Sequence, residues 1–295
     1  MTIIKNKNNK LNNKIKKNKM NNYQHKYNLI IYIILIILLF ILLYIINSSK
    51  EPFTDKNLSH THKNIQNIKH IDFEQLSEKK LKNYISGNTP VIFTNVIKNN
   101  INFDDFCSKL SNKKINARSG KYYTVSGRKN RKFNKINMID YCFNINKKKD
   151  YGGNNKISLE EIQILGIKPN NNLFNNFRSG KLWIGPKNSR TPLHKDKPEN
   201  LALQIYGEKQ WTIFNNNDNK NLCYSDNNKK LEWSAYELNN YNTCKSAKIA
   251  KPIILELKQG EMLYLPKQWS HDVKNMTNSI MINFWYDNSD IFPFK

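Results

Sequence analysis

Apolar positions change their rhythm three times along the chain. Residues 29–46 read LIIYIILIILLFILLYII, eighteen positions without a charge, a Gly or a Pro. As a helix this run is about 27 Å long, close to the hydrocarbon thickness of a bilayer, and it has no polar side to turn to water. It predicts a single transmembrane helix. Residues 47–66 are polar and aperiodic and predict a stalk, in which His60 and His62 are solvated. From residue 67 the pattern becomes globular. Residues 73–85, 103–110, 136–143 and 158–165 have helical spacing, and Ser158 with Glu161 forms a capping-box signature. Residues 90–97 predict a short strand opened by Pro90. After residue 170 the texture turns to strands: 181–186, 200–215, 251–266 and 279–287 are β-branched and aromatic, punctuated by Gly, Pro, Asn and Asp. The polar stretch from 215 to about 245 predicts a long insertion. Helices first and strands afterwards indicate a mainly β, α+β chain with a sandwich or barrel in its C-terminal half.

Composition adds a strong positive bias. The 295 residues hold 48 Lys and Arg against 23 acids, a formal charge of +25. Only five of these cations are Arg, and Asn and Ile are also abundant, so the bias reads as a solvated surface rather than a nucleic-acid face. Eight Lys and no acid fall in residues 1–28, a basic tail without apolar period. With these cations before the apolar run and mixed charges after it, the positive-inside tendency places the N-terminus in the cytoplasm and residues 67–295 on the lumenal side. Sequons at Asn47, Asn57 and Asn275 are compatible with that side. Cys107, Cys142, Cys223 and Cys244 form no CxxC pair; Cys223 and Cys244 share one loop and could be bridged in an oxidising compartment, with free thiols as the alternative.

Candidate chemistry concentrates on two His beyond residue 170. His194 stands in TPLHKD, two positions before Asp196, and His271 ends LPKQWSH after an apolar strand. Residues i and i+2 of a strand share a face, so His194 and Asp196 aim into one cavity while Lys195 points away. A second imidazole from a distant strand would complete a two-His, one-carboxylate metal face, the arrangement of non-haem Fe(II) oxygenases.

The segment LWIGPKNSRTPLHKDKPENLALQIYGEKQWTIF, followed by GEMLYLPKQWSH and INFWYD, resembles the cupin-like JmjC family of Fe(II)- and 2-oxoglutarate-dependent oxygenases, its asparaginyl hydroxylases in particular. The similarity spans residues 67–290 and is specific around 181–215 and 260–287. It implies a double-stranded β-helix, or jelly roll, with helices packed outside. It also implies that His194, Asp196 and His271 hold Fe(II), and that Lys209 and Thr191 receive the distal carboxylate of 2-oxoglutarate. Asn200 and Asn283 would line the cosubstrate pocket, Trp183 would form an apolar wall, and Tyr151 would complete the pocket, with Tyr122 and Tyr123 as competitors. A dicarboxylate inside a barrel needs a buried cation and hydroxyl donors, which is the role physical chemistry would give Lys209 and Thr191. Trp211, Trp269, Phe284 and Trp285 read as barrel packing. The resemblance implies a protein substrate. With the membrane run it gives a membrane-anchored protein hydroxylase acting on a lumenal, surface or virion-associated target. A second reading keeps the fold without the chemistry, as a JmjC-like binding module or a structural membrane or virion protein.

Overall fold

The computed structural model describes Ile36 and Ile37 and residues 68–118, 133–168, 180–224 and 232–286. The chain divides into two compact units, Met1–Lys63 and Asn64–Lys295. In the first, only Ile36 and Ile37 are described, and both are helical. Among the described residues no helix is long and apolar enough to cross a membrane, and the rest of the apolar run 29–46 lies outside them.

The second unit is built on eight strands in jelly-roll order. They are β6 (Gly180–Gly185), β7 (Arg190–Lys195), β8 (Glu199–Tyr206), β9 (Lys209–Phe214), β11 (Ile253–Leu257), β12 (Met262–Leu265), β13 (Ser270–Asn275) and β14 (Ser279–Tyr286). The chain crosses between two sheets at every step except β9 to β11, which are neighbours in one sheet. One runs β12-β8-β14-β6 and the other β7-β13-β9-β11, all neighbours antiparallel. This is the double-stranded β-helix that the resemblance implied.

Its strands are buried on both faces, and period-two alternation divides them between two cores. Leu201, Leu203 and Ile205 of β8 join Ile280, Ile282 and Phe284 of β14 in an outer core beneath the helices. Ala202 and Met281, from the opposite faces of the same strands, pack inward with Trp211, Ile213, Leu263 and Val273 between the sheets. Two of the apolar runs each hold two strands that pass from one sheet to the other. Run 200–215 turns at Gly207 (φ +71°), where a Cβ would lie 2.1 Å from the Asn278 carbonyl oxygen. Run 251–266 turns at Gly260 (φ +83°).

The N-terminal half is less helical than its periodicity suggests. Helices α1 (Glu78–Ser86), α2 (Phe103–Lys109), α3 (Met138–Lys148) and α4 (Leu159–Ile164) appear where spacing predicted them. The Ser158–Glu161 capping box forms, and Lys113 pairs with the same Glu161 at 2.7 Å. Between them lie β1 (Lys69–Asp72), β2 (Val91–Thr94), β3 (Lys114–Arg118), β4 (Phe133–Asn137) and β5 (Tyr151–Ile157), which widen the first sheet to nine strands, β1-β2-β12-β8-β14-β6-β5-β3-β4. Except for β2 these strands were missed, because segments such as KINAR and YGGNNKI are short and hold few β-branched or aromatic residues; pairing with a preformed sheet makes them strands.

The insertion between β9 and β11 also departs from expectation. It contains β10 (Glu232–Trp233), which pairs with β7, and packs a small core of Leu222, Tyr236, Cys244, Ala247 and Ala250 against Leu193 and Phe214. A Cys223–Cys244 disulfide ties it down, and a second disulfide, Cys107–Cys142, joins α2 to α3.

Candidate active site

Two facing strands bring the metal-ligand candidates together. His194 of β7 lies directly opposite His271 of β13, and the imidazole centroids are 4.1 Å apart. Asp196 follows one residue after β7 ends; its carbonyl accepts from the Gln268 amide at 2.8 Å, which fixes the exit of the strand. His271 Nε2 is 3.6 Å from Asp196 Oδ2, and one ligand atom from each of the three residues falls within 4.8 Å of the others.

Each imidazole is held by its other nitrogen. His194 Nδ1 is 2.9 Å from the Pro192 carbonyl and His271 Nδ1 is 3.0 Å from the Trp269 carbonyl. A carbonyl can only accept, so Nδ1 carries the proton in both rings and Nε2 is the lone-pair nitrogen. Such outer bonds orient metal-bound His. Burial raises the Asp196 carboxyl above its ordinary value, against the lowering effect of His271 and the Trp285 indole beside it. A buried carboxylate among lone-pair nitrogens fits a divalent cation, which would replace the lost hydration.

The register explains how Thr191 reaches the same cavity. Thr191 opposes Val273 and His194 opposes His271, so Pro192 and Leu193 together face Asp272 alone. This bulge places one extra residue in β7 and reverses its alternation. Thr191 and His194, three positions apart, therefore both point inward.

Lys209 begins β9 and is 0% exposed. Its Nζ donates to Asn275 Oδ1 at 2.7 Å and lies 5.6 Å from the Tyr151 ring centroid. Thr191 Oγ1 is 3.4 Å from the Tyr151 hydroxyl. Burial pushes the lysine down to about 7 and raises the Tyr151 hydroxyl, which stays a neutral donor. A lysine enclosed this way, with a threonine and a tyrosine hydroxyl nearby and no acid paired to it among the described residues, fits a ligand carboxylate.

A cavity open to solvent runs from the metal-ligand candidates to Thr191 and Tyr151. Tyr151, Trp183, Thr191, His194, Asp196, Asn200, His271 and Asn283 all line it, so eight of the nine site candidates meet there and Lys209 stands behind Tyr151. Asn283 Nδ2 donates to Asn200 Oδ1 at 2.7 Å, joining β14 to β8 across the floor. Tyr122 and Tyr123 fall outside the described residues.

Sequence reasoning missed several contributors. Trp211 and Trp285, read as packing, line the cavity. Asn275, read as a sequon, is 1% exposed and donates to the Gly185 and Pro186 carbonyls at 3.1 and 3.2 Å while accepting from Lys209. An amide so enclosed is no acceptor for glycosylation in the folded protein; the sequon is a coincidence of an Asn-rich chain.

A jelly roll that brings two imidazoles and a carboxylate together, with a buried lysine in the same barrel, is the architecture of the cupin-like JmjC class. The chain belongs to the cupin-like family: the family described as "Cupin-like domain" matches residues 93–291. JmjC-family oxygenases use Fe(II) and 2-oxoglutarate, and the His–Asp–His set suited to that metal is present here. The chain is similar to JmjC domain-containing protein C of Dictyostelium discoideum, 40% identical over 124 residues covering 38% of this chain and 29% of that one. It is similar to the lysine-specific demethylase JMJ30 of Arabidopsis thaliana, 30% identical over 108 residues covering 36% and 25%. It is also similar to the human bifunctional peptidase and (3S)-lysyl hydroxylase JMJD7, 28% identical over 130 residues covering 36% and 40%. The matched stretch thus spans well under half of each of these relatives.

Proposed function

We propose that the protein is a membrane-anchored Fe(II)- and 2-oxoglutarate-dependent dioxygenase that hydroxylates a protein side chain. The observation that carries the reading is the convergence of His194, Asp196 and His271 at one end of a cavity with buried Lys209 beyond Tyr151. Bound together, ferrous iron and 2-oxoglutarate supply the O₂-driven oxidation of an unactivated C–H bond; the organic chemistry is theirs, and the protein supplies geometry.

His194 and His271 present Nε2 because Pro192 and Trp269 hold Nδ1. Asp196 supplies the anionic ligand. Lys209 neutralises the distal carboxylate of the cosubstrate, with the Thr191 and Tyr151 hydroxyls beside it. Trp183, Trp211 and Trp285 keep water from the walls, and the Asn200–Asn283 pair holds the floor.

The anchored, lumenal placement rests on the apolar run 29–46, the eight Lys before it and the pairing of all four cysteines, which suits an oxidising compartment. The choice of a protein hydroxylase is supported by the similarity to JMJD7, a relative described as a lysyl hydroxylase.

The direct test is succinate release from 2-oxoglutarate by the purified full chain. Release should require Fe(II) and disappear in His194→Ala and Asp196→Ala while far-UV circular dichroism is unchanged. Turnover that persists in both variants would refute the assignment.

A further inference from the structure

Arg118 is a cation for which the iron and the cosubstrate have no use. It ends β3, paired with Tyr151 in the β3–β5 ladder. Its guanidinium carbon lies 5.3 Å from the Tyr151 ring centroid and 5.9 Å from that of Trp183, two residues of the cavity wall. The place is made for it by Gly153. A Cβ there would fall 2.2 Å from Arg118 Nη2 and 2.7 Å from the Trp183 ring. A register irregularity between Gly152 and Asn155, with Asn154 at φ 58°, shapes the slot.

Among the described residues only the two rings offset the desolvation of this guanidinium. Its Nε is buried without a hydrogen-bond partner, and among the described residues no acid pairs with it. Burial accordingly lowers its affinity for the proton, with only Tyr151 opposing. Buried donors of a charged group without partners are rare in native proteins and point to a ligand that completes them. Two aromatic rings flank the guanidinium and restrict its movement, and a planar fork of donors suits a carboxylate.

We infer that Arg118 receives a carboxylate of the protein substrate, an Asp or Glu side chain close in sequence to the residue that is oxidised. This rests on the oxygenase reading above. The distal carboxylate of the cosubstrate already has Lys209, Thr191 and Tyr151, and its keto-acid end belongs to the metal site, so the anion left for Arg118 comes from the substrate. Residues 29–295 carry +17 of the formal charge, which favours encounter with acidic segments.

The test uses the full chain in detergent, loaded with Mn(II) and the inert analogue N-oxalylglycine. Fluorescence anisotropy compares degenerate peptide pools carrying one fixed Asp or Glu with pools carrying Asn or Gln at that place. The ratio of the two affinities within each variant is the readout, so a loss of folded protein cancels. Wild type should favour acidic pools by about tenfold, the strength of one charge-assisted hydrogen bond. Arg118→Gln should abolish the preference, Arg118→Glu should turn it towards Lys and Arg, and Gly153→Ala should weaken it with the cation intact. An unchanged ratio in Arg118→Gln would overturn the inference. So would a loss of N-oxalylglycine affinity in that variant, which would assign the arginine to the cosubstrate, or tight binding of an oligonucleotide in place of the acidic pools. Failure of wild type to bind N-oxalylglycine would instead sink the oxygenase reading itself.

Discussion

Trp233 stacks on His194, ring centroids 4.5 Å apart and planes 26° from parallel. The indole arrives from the insertion between β9 and β11 and sits opposite His194 in the β10–β7 ladder. Nearby, Tyr224 bridges to Ser234, and its hydroxyl is 2.7 Å from Ser270 Oγ, one residue before His271. The same insertion therefore braces both metal-ligand strands.

Removing the indole should loosen the imidazole. Trp233→Ala is expected to weaken Mn(II) binding about tenfold, the usual scale for loss of an orienting partner of a metal ligand. Trp233→Phe should keep most of the affinity. Calorimetric titration with Mn(II), alongside circular dichroism, checks both; equal dissociation constants in wild type and Trp233→Ala would show that the stacking is packing alone.

The Cys223–Cys244 disulfide holds this brace. It spans a sequence separation of 21 residues, so replacing both cysteines by Ser should cost about 3 kcal/mol through loop-closure entropy. The expected readouts are a lower Tm and weaker Mn(II) binding. Replacing Cys107 and Cys142 should lower Tm by a similar amount and leave metal affinity alone, because that bridge joins α2 to α3 away from the ligand strands.

Lys209 makes cosubstrate affinity depend on pH. Burial by the protein alone holds it at about 7, and a bound carboxylate would favour its charged form. Binding therefore takes up a proton above pH 7. Affinity for N-oxalylglycine should be level below that pH and fall about tenfold per unit above it. Lys209→Arg should flatten the profile, since a guanidinium stays charged, and Lys209→Met should weaken binding at every pH. A wild-type profile level from pH 6 to 9 would show that the lysine does not meet the carboxylate.

Asp196 acts at the acid end. Burial raises its carboxyl, and the metal binds the carboxylate with neutral imidazoles. Metal affinity should fall as the solution is acidified, and earlier than an unperturbed aspartate would require. Asp196→Asn should remove that part of the dependence along with most of the affinity, read by Mn(II) titration across pH.

Much of the site was legible because it is carried by short, chemically distinctive stretches. TPLHKD set His194 and Asp196 on one side of a strand through the two-residue period, and GEKQW put a lysine among barrel residues. The β-branched and aromatic runs after residue 170 indicated a β sandwich or barrel, since strand texture is local information, and the resemblance narrowed this to a jelly roll.

What the tertiary structure decided is everything that depends on cross-strand register. Alternation alone would turn Thr191 away from His194; only the extra residue opposite Asp272 brings both inside. Asn275 became the partner of Lys209 because β13 and β9 place them opposite each other, a relation between residues 66 positions apart. Trp233 reached His194, and Arg118 reached Trp183, through the pairing of short strands too weak in apolar signal to be read alone. A sequence fixes the period of a strand locally, whereas its neighbour, its register and its bulges follow from the energy of the whole sheet.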